Sequence, residues 1–430
     1  MNPEIKQRIE QIKNGKVPEG YRYSRAGFSP NDWDKGSLSD VLYNEQRAIP
    51  KPNEGYWRIG IRSHAKGTFH EYVENPETVD MDELYVVKEN DLILNITFAW
   101  EHAVALADKD DDGLLVSHRF PTYVFREGQN PVFYKSVAVQ KRFKEMLGLI
   151  SPGGAGRNRV MSKKDFLRLP CNIPSSKEQQ KIAEILMQCD KVIELYEKEI
   201  EELQKLKKIY LKKMFPKKGE TAPEFRVAQF TDLWRLRKLK DCCEMYNGDR
   251  SSKYPNEKDM VTDGIPFINA GDLEEGRVNL ASANKITKEK YQDLGGAKLQ
   301  IGDIVYCLRG TLGKNAYIDN FTEGTIASSL VAIRPKNIDG RYLFHVLNSD
   351  IEYRQRIVHD EGAAQPNLSA KNVSSFIIPV PTIEEQKVIS SFLDNLINLI
   401  TMHQRKLDEK KKYKKSLMQL LLTGIVRVQA

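Results

Sequence analysis

The chain of 430 residues is poor in cysteine and has no long apolar run. Its cysteines form no Cys-x-x-Cys pair and lie near no histidine at the spacing of metal ligands, which argues against structural zinc. No stretch approaches the length needed to cross a bilayer, and the N-terminal MNPEIKQRIEQIKNG is typical of a charged amphipathic helix rather than a signal peptide. We therefore expect a soluble, cytoplasmic protein with reduced thiols at Cys171, Cys189, Cys242, Cys243 and Cys307.

Signatures of catalysis are also missing. The chain has no Pro-Pro pair, whereas amino-directed DNA methyltransferases usually carry an Asn/Asp-Pro-Pro-aromatic loop. The nearest approach to a P-loop, Gly310 to Asn315, has the wrong spacing and lacks the final Ser or Thr. His64 and His70 do not have metal-ligand spacing, and the run 110–113 (DDDG) is expected to be a solvated turn rather than a calcium loop. We predict that the chain is not an enzyme and binds no metal.

Positive charge is unevenly distributed along the chain. The formal net charge is +7, but the excess lies in two lysine-rich segments, 175–218 and 382–430, while the segments before and between them are close to neutral. Affinity for nucleic acid in those neutral segments would have to come from local clusters rather than from a generally basic surface.

An internal repeat organises the sequence. Residues 174–214 align without a gap on residues 381–421, with Glu178 and Gln179 matching Glu385 and Gln386, and the similarity reaches back to Trp33 and Trp234. The repeat indicates that the chain consists of two half-copies, each a lobe followed by a long helix. We predict lobe one with an N-terminal helix at 1–173, a long helix at 174–215, a linker and lobe two at 216–380, and a second long helix with a tail at 381–430.

Each long segment carries apolar residues at alternating spacings of three and four, a heptad seam typical of paired helices. No proline interrupts the first segment between Pro174 and Pro216. Two matching helices in one chain favour intramolecular, antiparallel pairing. The pairing residues are predicted to include Leu186, Ile193, Ile200 and Lys207 in the first helix and Leu393, Ile400, Leu407 and Lys414 in the second.

The lobes have a common order of elements. Strand-like runs at 85–100 and 114–125 precede one helical run at 130–147 and a glycine-containing loop at 151–159. Lobe two repeats this order with strands at 298–310 and 325–334, one helix at 341–358 and a loop at 361–367. The predicted fold is therefore a mixed α/β lobe built twice, as a pseudo-twofold repeat, with two long antiparallel coiled-coil helices.

This pattern resembles the specificity subunit of type I restriction-modification systems across essentially the whole chain. The resemblance rests on RIEQIKNGKVPEGY near the N-terminus, the Glu-Gln helix starts after Pro174 and Pro381, the lysine-rich helix ends, the inter-repeat FPKKGETAPEFR and the final LLTGIVRV. It implies that each lobe is a target-recognition domain for one half of a bipartite, asymmetric DNA site. It also implies two modification subunits that bind S-adenosylmethionine and methylate adenine, and ATP-dependent restriction subunits with Mg²⁺; this chain itself would hold no cofactor.

Loop residues suited to DNA contact can be named in both lobes. In lobe one the segment 151–164 (SPGGAGRNRVMSKK) contains no acid, and its glycines let backbone approach phosphate closely. In lobe two the side-chain amides of Gln365 and Asn367 can pair with an adenine edge. The Gly-Thr-Leu-Gly turn after the strand-like run at 298–310 is a place from which a side chain could enter a groove. The candidates are Arg157, Arg159, Lys163 and Lys164 in lobe one and Arg309, Thr311, Lys314, Gln365, Asn367 and Lys371 in lobe two.

Lobe one departs from lobe two where 98–101 (FAWE) replaces the turn from Arg309 to Lys314.

Two other classes of protein stay open from the sequence: a structural coiled-coil protein that pairs through its heptads, and a chain that itself methylates or cleaves DNA. A structural protein would show no sequence preference for DNA. A fused enzyme would methylate or cleave DNA without any other subunit when S-adenosylmethionine is supplied.

Overall fold

A computed structural model describes residues 3–153, 159–227, 229–360 and 367–428. The chain divides into two compact units: unit 1 comprises Met1–Leu195 with Leu407–Ala430, and unit 2 comprises Tyr196–Lys406. Both units are mixed α/β. None of the helices in the described part of the chain combines the length and the apolar character that crossing a bilayer requires.

Unit 1 contains lobe one. Its strands are β1 (Tyr21–Ser24), β2 (Gly27–Pro30), β3 (Asp34–Ser37), β4 (Leu42–Asn44), β5 (Ala48–Pro50), β6 (Tyr56–Ile61), β7 (Thr68–Val73), β8 (Glu83–Val86), β9 (Leu92–Leu94), β10 (Val104–Leu106), β11 (Leu115–Val116), β12 (Thr122–Phe125) and β13 (Pro170–Ile173). Its helices are α1 (Pro3–Lys13), α2 (Leu38–Val41), α3 (Pro131–Ala138), α4 (Lys141–Leu149), α5 (Lys163–Leu167) and the first part of α6 (Ser176–Lys213).

Unit 2 contains lobe two. Its strands are β14 (Arg235–Lys238), β15 (Cys243–Asn247), β16 (Met260–Val261), β17 (Ile265–Ile268), β18 (Leu273–Glu274), β19 (Arg277–Val278), β20 (Asn284–Ile286), β21 (Ile304–Cys307), β22 (Asn315–Tyr317), β23 (Thr325–Ile326), β24 (Leu330–Pro335) and β25 (Ile377–Val380). Its helices are α7 (Lys288–Asp293), α8 (Gly340–Val346), α9 (Asp350–His359), α10 (Ala370–Ser374) and the first part of α11 (Ile383–Leu422).

The repeat extends to the strand order inside each unit. A four-stranded sheet has the order β10-β9-β12-β4 in unit 1 and β22-β21-β24-β15 in unit 2. Each unit also has a second sheet with one parallel pair, β6 with β11 in unit 1 and β17 with β23 in unit 2. Finally, an antiparallel ribbon, β3 with β13 or β14 with β25, leads into the long helix. The two half-copies therefore fold with the same framework.

The second sheets differ between the units. Unit 1 has five strands in the order β5-β8-β11-β6-β7, and β6 and β7 form a hairpin of six residue pairs. Unit 2 has four strands in the order β16-β20-β17-β23, and no hairpin extends from β17, which is followed by a short 3₁₀ helix at Ala270–Asp272. In its place, lobe two has a hairpin of only two residue pairs, β18 with β19, which forms a separate two-stranded sheet. The long hairpin that extends the second sheet is therefore found only in lobe one within the described residues.

The predicted seam of the long helices is partly buried. In α6, Leu186 and Ile200 are buried, and Ile193 and Lys207 are half-buried. In α11 Leu393 and Leu407 are buried, Ile400 and Lys414 are half-buried, and Lys410 is an exposed member of the heptad series. Inside unit 1, Lys414 forms an ion pair with Asp190. Inside unit 2, the His403 ring lies 3.1 Å from Glu199, and the rings of Tyr210 and Phe392 are 4.8 Å apart.

The Glu-Gln pair at the start of each long helix holds the lobe on the helix. In unit 1, the Trp33 indole Nε1 donates to Glu178 at 2.9 Å, and Arg427 donates to the same carboxylate at 2.8 and 3.0 Å. Gln179 accepts from the backbone of Asn130, which caps α3. Because these groups are separated by long stretches of chain, the motif closes the unit.

Unit 2 repeats this arrangement with different parts of the chain. Trp234 donates to Glu385 at 3.1 Å, Arg226 donates to it at 2.7 and 2.8 Å, and Gln386 accepts from the backbone of Asp339, which caps α8. Arg226 follows the first long helix and Arg427 follows the second. The tail after α11 thus performs in unit 1 the part that the inter-repeat linker performs in unit 2.

Two local predictions were wrong. Each lobe was predicted to have one helix after its strands, but each has two, α3 with α4 and α8 with α9, because polar side chains cap a break. Ser349 accepts from the backbone of Ile351, and Gln140 donates to the carbonyl of Ser136. The run 110–113 was expected to be a solvated turn, but Asp111 is buried and accepts from His70 and Thr68.

Candidate nucleic-acid interface

In lobe two the candidate residues follow a fully buried strand. All four residues of β21 are buried, so the chain leaves the sheet at Leu308 and reaches the surface at Arg309. A turn from Gly310 to Gly313 follows, with both glycines at positive φ (81° and 79°), a conformation that favours glycine. Arg309 and Thr311 are exposed. The turn therefore presents a guanidinium and a hydroxyl at the end of a rigid strand.

A backbone bridge brings Asn367 beside Arg309. The two residues form an antiparallel bridge, and the amide of Leu368 donates to the carbonyl of Leu308 at 2.9 Å. The amide of Asn367 donates to Asp360 at 2.9 Å, while its side-chain Oδ1 is buried and has no partner among the described residues. Gln365, the other amide candidate, lies outside the described residues. Two candidates named from the sequence, Arg309 and Asn367, are thus neighbours through the backbone.

The two lysine candidates of lobe two differ. Lys314 is half-buried, and its Nζ donates to the carbonyl of Ala270 at 3.1 Å, so that ammonium is engaged inside the lobe. Lys371 is exposed in α10, which Ser369 caps through the backbone of Asn372. Of the two, Lys371 has the more accessible charge.

A buried network holds the turn in place. The Tyr306 hydroxyl donates to Glu352, and Arg356 Nε donates to Glu352 at 2.8 Å. A Cβ at Gly313 would lie within 3 Å of both Glu352 and Arg356, so the turn packs directly on this pair. Burial raises the pKa of Glu352, against the opposing effects of Tyr306 and Arg356. The sequence offered no signal for this network, because its members meet only in the fold.

Arg250 is a further exposed cation near the turn that the sequence did not single out. Its Nη2 donates to the carbonyl of Ser328 at 3.3 Å, and the next carbonyl, of Ser329, accepts from the amide of Leu308 at 2.9 Å. Arg250 is therefore positioned on the same edge of lobe two as Arg309.

Lobe one has equivalent backbone hydrogen bonds with different side chains around them. The amide of Met161 donates to the carbonyl of Ile96 at 2.8 Å, as Leu368 does to Leu308, and the amide of Ile96 donates to Arg119, as Leu308 does to Ser329. The segment after Ile96 is a 3₁₀ helix, Ala99–Glu101, in place of the glycine turn. The predicted correspondence between 98–101 and the Arg309 turn is therefore present in the fold.

The candidates of lobe one cluster around that segment. The Arg159 guanidinium lies 5.2 Å from the centroid of the Trp100 ring, a cation–π contact. Lys163 Nζ is 3.3 Å from the carbonyl of His118, and partial burial lowers its pKa, whereas Lys164 is exposed. Arg157 lies outside the described residues. Lys164 is therefore the exposed charge, whereas Arg159 is half-buried against Trp100.

The described residues contain no cluster of three or more His, Cys, Asp or Glu side chains that could hold a metal ion. All five cysteines are free thiols, and burial raises the pKa of Cys171 to about 12. What these edges offer is exposed guanidinium, ammonium, hydroxyl and amide groups on rigid strand ends, the groups that proteins use to contact phosphates and base edges.

Comparison with known proteins gives a consistent result. The family model for the type I restriction modification DNA specificity domain matches residues 30–205 and again residues 231–411. The MjaVIII type I restriction enzyme specificity subunit of Methanocaldococcus jannaschii is 26% identical over 439 residues, covering 98% of this chain and 96% of that protein. The EcoBI specificity subunit of Escherichia coli is 27% identical over 140 residues, 32% of this chain and 30% of that protein.

Solved structures share the fold. A chain from a study of complex assembly and conformational transition in a type I R-M system matches with a TM-score of 0.58 at 17% identity, over 93% of this chain and 99% of that one. The S subunit of a type I restriction-modification system from M. genitalium matches with a TM-score of 0.55 at 17% identity, over 91% and 96%.

Proposed function

The chain belongs to the family of type I restriction-modification DNA specificity domains, and we propose that its two lobes read the two halves of one bipartite, asymmetric DNA target. Lobe one reads through the edge formed by Arg159, Trp100 and Lys164, and lobe two through the edge formed by Arg309 and Asn367. Arg157 and Gln365, which lie outside the described residues, remain candidates from the sequence.

One observation carries the proposal: an equivalent backbone hydrogen bond, Met161 to Ile96 in lobe one and Leu368 to Leu308 in lobe two, occurs in the same place in each lobe. In both lobes it joins the segment after a buried sheet strand to the segment before α5 or α10, where the sequence places its glycine-containing loops. Framework and position agree, while the exposed side chains differ. That combination is expected of two readers that share a fold and recognise different sequences.

The long helices form the scaffold in this proposal. The shielded seam and the contacts Asp190 with Lys414 and Glu199 with His403, each inside its own unit, support an antiparallel coiled coil. Two modification subunits assemble on the chain and supply S-adenosylmethionine chemistry, and restriction subunits supply ATP- and Mg²⁺-dependent cleavage. This chain reads and assembles in the cytoplasm without catalysing a reaction.

The test compares one substitution in each lobe, in the chain assembled with its modification subunits. The target is first mapped as the sequence whose adenines become methylated in cells that express the complex. Binding is then measured on duplexes with single base changes in each half. Arg309→Ala should alter discrimination at one half and Arg159→Ala at the other, by about 1–3 kcal/mol where the side chain contacts a base.

Exposed arginines elsewhere in the same lobes, Arg235 and Arg25, provide matched controls, and their alanine variants should read both halves normally. Uniform weakening on all duplexes would mean that Arg309 and Arg159 contact only phosphate. Absence of any sequence preference in the unsubstituted complex would contradict the proposed function and favour a structural coiled-coil protein. Methylation by the chain alone would contradict the non-catalytic role.

A further inference from the structure

The hairpin formed by β6 and β7 ends in a tip that packs on the proposed reading edge of lobe one. The tip comprises residues 62–67 (RSHAKG) and is closed by the amide of Arg62, which donates to the carbonyl of Gly67 at 2.9 Å. His64 and Ala65 both have positive φ (63° and 52°). Two successive non-glycine residues in this region cost about 1–3 kcal/mol each and persist only where surrounding contacts hold them.

Those contacts come from the segment that replaces the glycine turn. The amide of His64 donates to the carbonyl of Glu101 at 2.9 Å, and the amide of Ala65 donates to the carbonyl of His102 at 2.8 Å. Ser63 Oγ donates to the Glu101 carboxylate at 2.8 Å. Glu101 follows Trp100, on whose ring the Arg159 guanidinium lies. The tip is therefore fixed beside the proposed reading residues.

The tip carries positive charge and no acid. Arg62 is engaged, since it donates to the carbonyl of Thr68 and lies 5.2 Å from the centroid of the Phe69 ring. Lys66 is exposed and forms no hydrogen bond or ion pair with any residue that the structure describes. An unengaged ammonium at a rigid tip is suited to a phosphate, which lysine binds as a point charge.

After the corresponding strand β17, lobe two has only the two-pair hairpin of β18 and β19, whose tip at Glu275 and Gly276 carries an acid instead of a lysine. Lobe two has cations in its turn, where the matching segment of lobe one has none. Its turn carries Arg309 and Lys314, and Lys314 reaches the carbonyl of Ala270, immediately beyond the strand that corresponds to β6. In lobe one the corresponding segment, 98–101 (FAWE), contains no cation. The hairpin thus brings a positive charge to an edge whose own segment lacks one.

We propose that the tip at 62–67 is a DNA-contacting element of lobe one and that Lys66 contacts a phosphate beside the half-site this lobe reads. The proposal rests on the proposed function of lobe one and assigns a contact outside the loops that the sequence indicated. A phosphate contact fixes the position of the lobe on the duplex without itself specifying a base.

The experiment measures binding of the assembled complex to a synthetic duplex that contains the mapped target, over a series of salt concentrations. Removing one phosphate contact should lower the slope of log K against log salt by about 0.9. Across a fourfold rise in salt, the unsubstituted complex should therefore lose about 3.5 times more affinity than Lys66→Ala does. Lys66→Arg should keep the original slope, because it retains the charge.

Lys35→Ala is the matched control, since Lys35 is an exposed lysine of the same lobe on the β3–β13 ribbon. In a second measurement, an iron chelate attached at Lys66→Cys should cleave the duplex beside one half-site only, and the same chelate at Lys35→Cys should give no such cleavage. This measurement locates the tip on the DNA independently of affinity.

The possible failures are distinguishable. If Lys66→Ala matches Lys35→Ala in slope while the complex still discriminates its target, the inference is wrong and the proposed function stands. If Lys66→Ala releases the modification subunits, the tip is an assembly surface and the inference is again wrong. If the unsubstituted complex shows no sequence preference, the proposed function itself fails.

Discussion

Lobe one and lobe two place the same buried acid in the same turn but pair it with arginines from different parts of the chain. Asp91 and Asp303 both precede the central strand of the four-stranded sheet and accept a backbone hydrogen bond within their own turn, from Lys88 and Gln300. Asp91 pairs with Arg47, which precedes β5, at 2.6 Å, whereas Asp303 pairs with Arg334, in β24, at 2.8 Å.

The difference teaches which constraints are strict. A buried carboxylate must be paired, so each lobe keeps an arginine beside it, but the fold accepts the arginine from any neighbouring element. In lobe one the residue at the end of β12, Arg126, instead donates to the carbonyl of Ser39. The proposed reading edges follow the same logic, with a constant backbone hydrogen bond and variable side chains around it.

The largest expected effect concerns the Trp-Glu-Arg contacts that both units share. Glu385→Ala would leave the Trp234 indole and the Arg226 guanidinium without their common acceptor, and Glu178→Ala would do the same to Trp33 and Arg427. Removing one partner of a buried pair typically costs about 3–5 kcal/mol. We expect the cost to be larger in unit 2, because the Arg226 side chain is 18% exposed and that of Arg427 is 39% exposed.

The measurement is the free energy of opening of each unit, from native-state hydrogen exchange. Glu384→Ala, at the exposed neighbouring position, is the control and should change stability little. If Glu385→Ala behaves like Glu384→Ala, the contact is not what holds lobe two on its helix.

Sequence alone predicted the framework well and the contacts poorly. The heptad seam and the duplication are short-range patterns, so they indicated the long helices and the two-lobed repeat directly. The role of the Glu-Gln pair depends on Trp33 meeting Glu178 across 145 residues, and the hairpin tip depends on Ala65 meeting His102. Such pairings are set by the folded topology, for which one sequence carries no local signal.

A smaller effect is expected from the two seam lysines, which have different surroundings. Burial lowers the pKa of Lys207, with the charge of Glu275 opposing that shift, whereas Lys414 has an ion-pair partner in Asp190. Lys207→Leu removes a desolvated ammonium from an apolar seam and should stabilise unit 2 by about 1 kcal/mol. Lys414→Leu gains apolar contact but loses the ion pair, which is worth about 0–1 kcal/mol, so its net effect should be smaller.

Thermal unfolding together with light scattering tests this difference, since a seam lysine can also restrict the choice of partner. Equal shifts in melting temperature for the two leucine variants would show that the surroundings of the two lysines do not matter. Destabilisation by Lys207→Leu without a change of oligomeric state would show that its ammonium makes a necessary polar contact.

The smallest effect is a pH dependence confined to unit 1. His102 is buried, and its Nε2 donates to the carbonyl of Ala138 at 2.7 Å. Burial lowers the pKa of His102 below the ordinary 6.5, and the charges of Lys144 and His64 lower it further. The hydrogen bond to the Ala138 carbonyl opposes this shift. Because the unfolded chain binds the proton more tightly, this contribution to stability is complete above pH 6.5. It is lost as the pH falls from 6.5 towards the lowered folded-state pKa, at up to about 1.4 kcal/mol per pH unit.

His102 has φ 71°, so His102→Asn is the suitable variant: asparagine tolerates this conformation and does not titrate. The corresponding turn of lobe two, from Arg309 to Lys314, contains no histidine. As the pH falls below 6.5, the free energy of opening of unit 1, measured by hydrogen exchange, should therefore decrease more in the unsubstituted chain than in His102→Asn. The free energy of opening of unit 2 should change equally in both proteins. If the free energy of opening of unit 1 depends on pH in the same way in both proteins, His102 binds protons equally in the folded and the unfolded chain. The two lobes would then not differ in their response to acid through this residue.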